Sequence, residues 1–160
     1  MSAVIKQRDL FTRRWRGGNV TPQKEVAMQI QLVSLLRWCL RPDVTMRHVP
    51  NGELRDKRTA AKLKAMGVLA GSADLEFFWK EEIMLHNMRH HVFRALFLEL
   101  KVPGNQLTSE QAAFGTAMKL AGAEYFWTVS IDRAIELLKE RGLLRPDRQI
   151  HIPTGPRGRR

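Results

Sequence analysis

The chain has 160 residues, 44% of them hydrophobic and 27% charged, enough for one domain with its own core. No apolar run approaches the roughly 20 residues that span a bilayer, the arginines of "MSAVIKQRDLFTRRWRGG" argue against a secretion signal, and the lone Cys39 excludes an internal disulfide or a cysteine-rich zinc site; a cytoplasmic location is expected. A net charge of +11 points to a polyanionic partner, although residues 1–20 hold five basic groups against Asp9 and residues 145–160 hold five against Asp147, which leaves +3 for the middle.

After the basic N-terminal arm, "GGNVTP" marks a boundary. Thr21 is a candidate N-cap, and Pro22 suits the first helical position, where a missing N–H costs nothing. Val26, Ile30, Val33, Leu36 and Leu40 then keep helical spacing to about Leu40. "VTMRHV" predicts a short strand, "PNG" a turn, and "RTAAKLKAM" a short basic helix closed by Gly67. "ADLEFFW" and "VFRALFLELKV" predict two further strands, and "KEEIMLHNMRHH" between them reads as a loop, with a long hairpin tip or a helical turn as the alternatives. "TSEQAAFGTAMKLAG" predicts a helix capped by Thr108, "EYFWTV" a strand, and Ser130 and Gly142 bound a last helix. The order α-β-α-β-β-α-β-α describes an α/β fold, a small mixed β-sheet flanked by helices. The domain then spans residues 21–144, between basic segments at 1–20 and 145–160.

One strand poses a question. In "LFLELKVPGNQLTSEQ", Leu96, Leu98, Leu100 and Val102 alternate with Phe97, Glu99 and Lys101, the period of a half-buried strand. Glu99 and Lys101 thus share one face among apolar neighbours, and Asp74 lies on the strand before. Neighbouring strands lie about 4.8 Å apart, so an aspartate on one and a glutamate on the next can share a divalent cation. Mg²⁺ prefers oxygen ligands and keeps several waters, so two carboxylates plus a substrate phosphate suffice. Lys101 can then orient a water or donate to a phosphate oxygen.

"GVLAGSADLEFF" followed by "LFLELKVPGNQLTSEQ" resembles the D…ExK core of the PD-(D/E)xK nucleases, and more narrowly the VRR-NUC (virus-type replication-repair nuclease) domain. The ordered features are Glu25 and Gln29, "HVPNG", "RTAAKLKAMG", Asp74, Glu99-Leu100-Lys101 and Gln111, and they run from about residue 21 to residue 144. The resemblance implies a restriction-endonuclease-like core and a deoxyribonuclease dependent on Mg²⁺ or Mn²⁺. It implies that Asp74, Glu99 and the Leu100 carbonyl bind the metal, Lys101 positions the water, Gln111 supports the site, and Glu25 completes it. Contacts to DNA would come from His48, Asn51, Arg55, Lys57, Arg58, Lys62 and Lys64. Branched substrates such as junctions or flaps, a role in phage or bacterial DNA replication or repair, and a homodimer are further implications. Two departures stand out: Ala73 occupies the place where the family usually has proline, and the segment between the aspartate and ExK strands is long.

Plainer readings remain open for several residues. Glu99 and Lys101 could be a surface pair, Asp74 a turn residue, and Gln111 a capping-box partner of Thr108. Glu25 suits the first turn of any helix, and Asn51-Gly52 suits any turn. His86 and His90 have the spacing of a zinc pair, but no cysteine or third ligand is nearby. Trp38, Trp79 and Trp127 read as core, and Trp15 within "RRWR" as a stacking residue. The rival class is a DNA-binding module of the same fold that does not cut.

Overall fold

Pro22 opens the first helix, α1 (Pro22–Cys39), in the computed structural model, which describes residues 22–49, 59, 62–63, 65–148 and 150. Strands β1 (Thr45–His48), β2 (Leu75–Leu85) and β3 (Met88–Leu100) follow, then α2 (Ser109–Leu120), β4 (Glu124–Thr128) and α3 (Ile131–Glu140). Thr59, Lys62, Leu63 and Ala65 have helical backbone, in line with a short basic helix before Gly67. The strands form one open sheet in the order β1-β2-β3-β4. β1 and β3 each run antiparallel to β2, and β4 runs parallel to β3, a pairing that needs the crossover supplied by α2. This is the expected small mixed sheet with helices on its faces. No helix among the described residues is long and apolar enough to cross a membrane.

Each face of the sheet has its own core. On one, Leu75, Phe77, Trp79, Leu96, Leu98 and Leu100 pack against Met28, Leu32, Leu36 and Cys39 of α1 and Ala134, Ile135, Leu137 and Leu138 of α3. On the other, Phe97 meets Phe114 of α2 edge-on at 5.5 Å between ring centres, and Phe114 meets Tyr125 at 6.1 Å. Because both faces are covered, residues 96–102 are buried without exception. The half-buried strand read from the alternation is therefore a fully buried one, with two faces differing in chemistry rather than in exposure.

Three further expectations are corrected. The segment 80–91 is not a loop: β2 and β3 continue through it to a two-residue turn at His86 and Asn87, whose φ values of 49° and 61° are those of a type I′ hairpin. Neither residue is glycine, so the turn is hard to see in the sequence. In α1 the buried stripe is Met28, Leu32, Leu35, Leu36 and Cys39, while Val26 and Ile30 face outward. The helix carries two overlapping apolar stripes, and spacing alone does not choose between them. Trp79 is core, but Trp38 and Trp127 are about two-fifths exposed, and Arg148 lies over the Trp38 ring at 4.9 Å.

Candidate active site

The end of the sheet where β2 begins and β3 finishes gathers the polar groups. Leu75 pairs with Leu98, and continuing that antiparallel register by one residue sets Asp74 opposite Glu99 on the same face. Asp74 is fixed there by the neighbouring strand, since its Oδ2 accepts the Leu100 N–H at 2.8 Å. Glu99 is only 2% exposed, a costly position for a carboxylate. Its Oε1 accepts from the Lys101 ammonium at 2.8 Å and from the Gln111 side-chain amide, whereas its Oε2 is buried with no hydrogen-bond partner.

Gln111 plays both parts that its position allows. Its side-chain oxygen accepts the Thr108 N–H at 3.0 Å while Thr108 Oγ1 caps the Gln111 N–H, a complete capping box. The same amide donates to Glu99, so the start of α2 and the end of β3 are tied together. Gly71 makes this approach possible. It has φ +75°, and a Cβ there would fall on the Glu110 carbonyl and 2.6 Å from Gln111 N. The loop that delivers Asp74 therefore lies directly on the first turn of α2.

Two other elements close the site. Glu25, in the first turn of α1, accepts from Val102 N–H and from the Asn105 side-chain amide, both at 3.4 Å. At the end of β1, His48 Nδ1 lies 2.7 Å from the Asp74 carbonyl oxygen and 2.7 Å from the Gln29 side-chain amide. A carbonyl only accepts, so Nδ1 carries the proton, and the Gln29 amide is consistent with it when its oxygen faces the ring. His48 thus braces the backbone at Asp74.

The electrostatics follow from this crowding. Burial pushes the Glu99 carboxyl up to about 7, the Asp74 charge adds to the rise, Lys101 opposes it, and Glu25 adds further. Asp74 is likewise raised, mainly by burial and against the pull of the Leu100 N–H and of Lys101. Burial also raises the Tyr125 hydroxyl, with Glu99 and Asp74 contributing. That hydroxyl is buried without a partner, and its ring lies so close to α2 that a Cβ on Gly115 would be 2.5 Å from it.

Among the described residues, no group of three or more His, Cys, Asp or Glu side chains is arranged to hold a metal ion. What converges is a pair of carboxylates with an amine and an amide. That set suits a hard cation that takes its remaining ligands from water, backbone oxygen and substrate. An unpartnered Glu99 oxygen and two carboxyls held above their ordinary range are what a cation would relieve.

Of the other residues expected at the site, Lys62 is exposed. Asn51, Arg55, Lys57, Arg58 and Lys64, like the arm at 1–20 and Trp15, lie outside the described residues. Sequence reasoning missed Glu76. Glu76, two residues beyond Asp74 and so on the same face, is 4% exposed and bound by Arg47 Nε at 2.5 Å. Arg47 also lies 5.3 Å from the centre of the Phe78 ring. Period-two spacing from Asp74 was the available signal. It missed Tyr125 as well, for which the sequence offers no signal beyond the facing Gly115.

No protein-family profile matches the chain, and no curated protein matches it. Among solved structures, the chain is similar to one described as a VRR_NUC domain protein, at 23% identity and a TM-score of 0.47, covering 72% of this chain and 84% of that one.

Proposed function

We propose that this chain is a deoxyribonuclease that hydrolyses DNA phosphodiester bonds with Mg²⁺ or Mn²⁺. Asp74, Glu99 and the Leu100 carbonyl would hold the cation. A divalent ion bound there supplies Lewis-acid stabilisation of the phosphate's developing charge and favours deprotonation of water. Lys101 orients the attacking water and donates a hydrogen bond to a phosphate oxygen, keeping its own proton. A bond from the water oxygen to phosphorus forms as the bond to the leaving ester oxygen breaks; the water releases one proton to solvent, and the leaving oxygen takes one up from solvent. Gln111 holds Glu99 in one orientation, and Glu25 keeps the negative field that attracts a cation.

The observation that carries this reading is the buried Glu99 carboxylate. One of its oxygens is committed to Lys101 and Gln111 and the other is unpartnered, with Asp74 across the strand pair. The basic residues His48, Arg55, Lys57, Arg58, Lys62 and Lys64, with Asn51, would grip the DNA backbone largely without reading sequence, helped by the segments at 1–20 and 145–160 around the domain at 21–144. The substrate class in this reading is branched DNA, a junction or flap met in phage or bacterial replication or repair, cut by a homodimer. The alternative, a DNA-binding module of the same fold that does not cut, has no use for a buried carboxylate–lysine pair.

Cleavage of supercoiled, flap and four-way-junction DNA with Mg²⁺ or Mn²⁺ tests the proposal. Asp74→Ala and Lys101→Ala are expected to abolish cutting and leave DNA binding nearly intact. Undiminished cutting by both variants would refute the site.

A further inference from the structure

Strand β4 brings one more polar group to the buried end of the sheet. Tyr125 pairs with Phe97 and Trp127 with Glu99, so Tyr125 and Glu99 lie on the same face of adjacent strands, at diagonal positions. Tyr125 is 5% exposed. Its ring is held by α2, on which Gln111 and Gly115 stand four residues apart and so on one side of the helix. Gln111 donates to Glu99, and Gly115 leaves the space that the Tyr125 ring fills. The same helix face thus fixes the carboxylate and the phenol together.

Among the described residues four side-chain polar atoms are buried without a partner, and two of them, Tyr125 Oη and Glu99 Oε2, belong to this face. Buried polar atoms are nearly always satisfied, by protein or by ordered water. Burial, joined by the charges of Glu99 and Asp74, raises the Tyr125 hydroxyl, so it keeps its proton and acts as a donor. A carboxylate oxygen only accepts, and one water, which both accepts and donates, is the complement of that pair. We infer that a buried water joins Tyr125 Oη to Glu99 Oε2 and that Tyr125 is thereby a positioning residue of the site. Oε2 has more than one lone pair, so it can take this hydrogen bond and a cation together. Lys101 and Gln111 hold Oε1 in place, and Tyr125 does the same for Oε2. The effect on a cation rests on reading Glu99 as a metal ligand; the link between hydroxyl and carboxylate does not.

Tyr125→Phe removes the hydroxyl and keeps the ring, and it is compared with the unaltered full chain in three ways. In calorimetric titration, Mn²⁺ is expected to bind about tenfold more weakly, the usual scale for losing a group that orients a metal ligand. In cleavage, kcat should fall while KM for DNA stays within about twofold, because the hydroxyl is buried away from the substrate. In EDTA the melting temperature should fall by about 2–4 °C, whereas removal of a hydroxyl that bonds nothing leaves it unchanged or raises it. Phe114→Leu loosens the same aromatic cluster without removing a polar atom, and should lower the melting temperature but keep Mn²⁺ binding within about twofold. Unchanged Mn²⁺ binding in Tyr125→Phe, a rise in KM with kcat kept, an unchanged or raised melting temperature, or an equal loss of Mn²⁺ binding in Phe114→Leu overturns the inference. No Mn²⁺ uptake by the unaltered chain would refute the cation reading of Asp74 and Glu99. The link between Tyr125 and Glu99 then stands or falls on whether a crystal structure of the unaltered chain shows a water bonded to both atoms.

Discussion

The same two strands, β2 and β3, carry charged residues at both ends and treat them in opposite ways. Toward the hairpin turn, Arg94 pairs with Glu81 at 2.5 Å with side chains 43% and 44% exposed, and Arg89 reaches Glu82 at 3.6 Å. At the other end, Lys101 pairs with Glu99 at 2.8 Å with side chains only 9% and 3% exposed. An exposed pair is worth about 0–1 kcal/mol and can be lost without consequence. A buried pair must recover a desolvation cost of several kcal/mol, so its presence calls for a reason. Here the recovery is incomplete, since one Glu99 oxygen has no partner and Glu99 sits high, at about 7. A glutamate and a lysine two residues apart make a surface decoration or a site according to what covers them.

Breaking each pair should separate the two ends most clearly. Lys101→Met leaves Glu99 buried and unpaired and is expected to lower cleavage about a thousandfold. Protonation of Glu99 softens the stability loss to about 1–3 kcal/mol, measurable by urea denaturation at pH 7.

The second contrast is with pH. Unfolded, Glu99 titrates near 4.5; folded, its carboxyl is pushed up to about 7. Between those values the folded chain holds the proton more tightly than the unfolded one, so this residue's contribution favours folding at low pH and is lost as pH rises toward 7. Asp74 is shifted in the same direction. In EDTA the melting temperature should therefore fall as pH rises from 5 to 8, with a flatter profile in Glu99→Gln. Mn²⁺ should raise it at pH 8 and scarcely at pH 5.

Backbone crowding gives a smaller effect with the same geography. Gly71 and Gly67 both have positive φ, but only at Gly71 would a Cβ strike the start of α2, whereas Gly67 has open space around it. Gly71→Ala should lower both stability and cleavage, because it lifts the loop carrying Asp74 away from Gln111. Gly67→Ala should cost only about 1–2 kcal/mol for its left-handed backbone and leave cleavage unchanged. At the bottom of the scale, Arg94→Met should change stability by less than about 1 kcal/mol and activity not at all.

Much of this architecture is legible from local signals. Pro22, the Thr108 and Ser130 caps, and Gly122 and Gly142 punctuate the chain where helices begin and end. Asp74, Glu99 and Lys101 announce themselves as charges in or beside apolar strands. What escaped the sequence depends on tertiary contact. The His86-Asn87 turn lacks glycine, so the hairpin passes for a loop. The buried side of α1 is chosen by the sheet and α3, not by the helix's own spacing. Glu76 looks like any strand glutamate until Arg47, brought alongside by β1, is seen to neutralise it. Gly71 and Gly115 are ordinary glycines until α2 and Tyr125 are laid against them.

A metal-dependent nuclease at this site requires Asp74 and Glu99 to act together on one cation. Calorimetric titration of the DNA-free chain with Mn²⁺ at pH 8 measures this directly. Uptake is expected in the unaltered chain and in Arg94→Met, and is expected to disappear in the Asp74→Asn, Glu99→Gln double variant. Equal uptake by the double variant and the unaltered chain would contradict it.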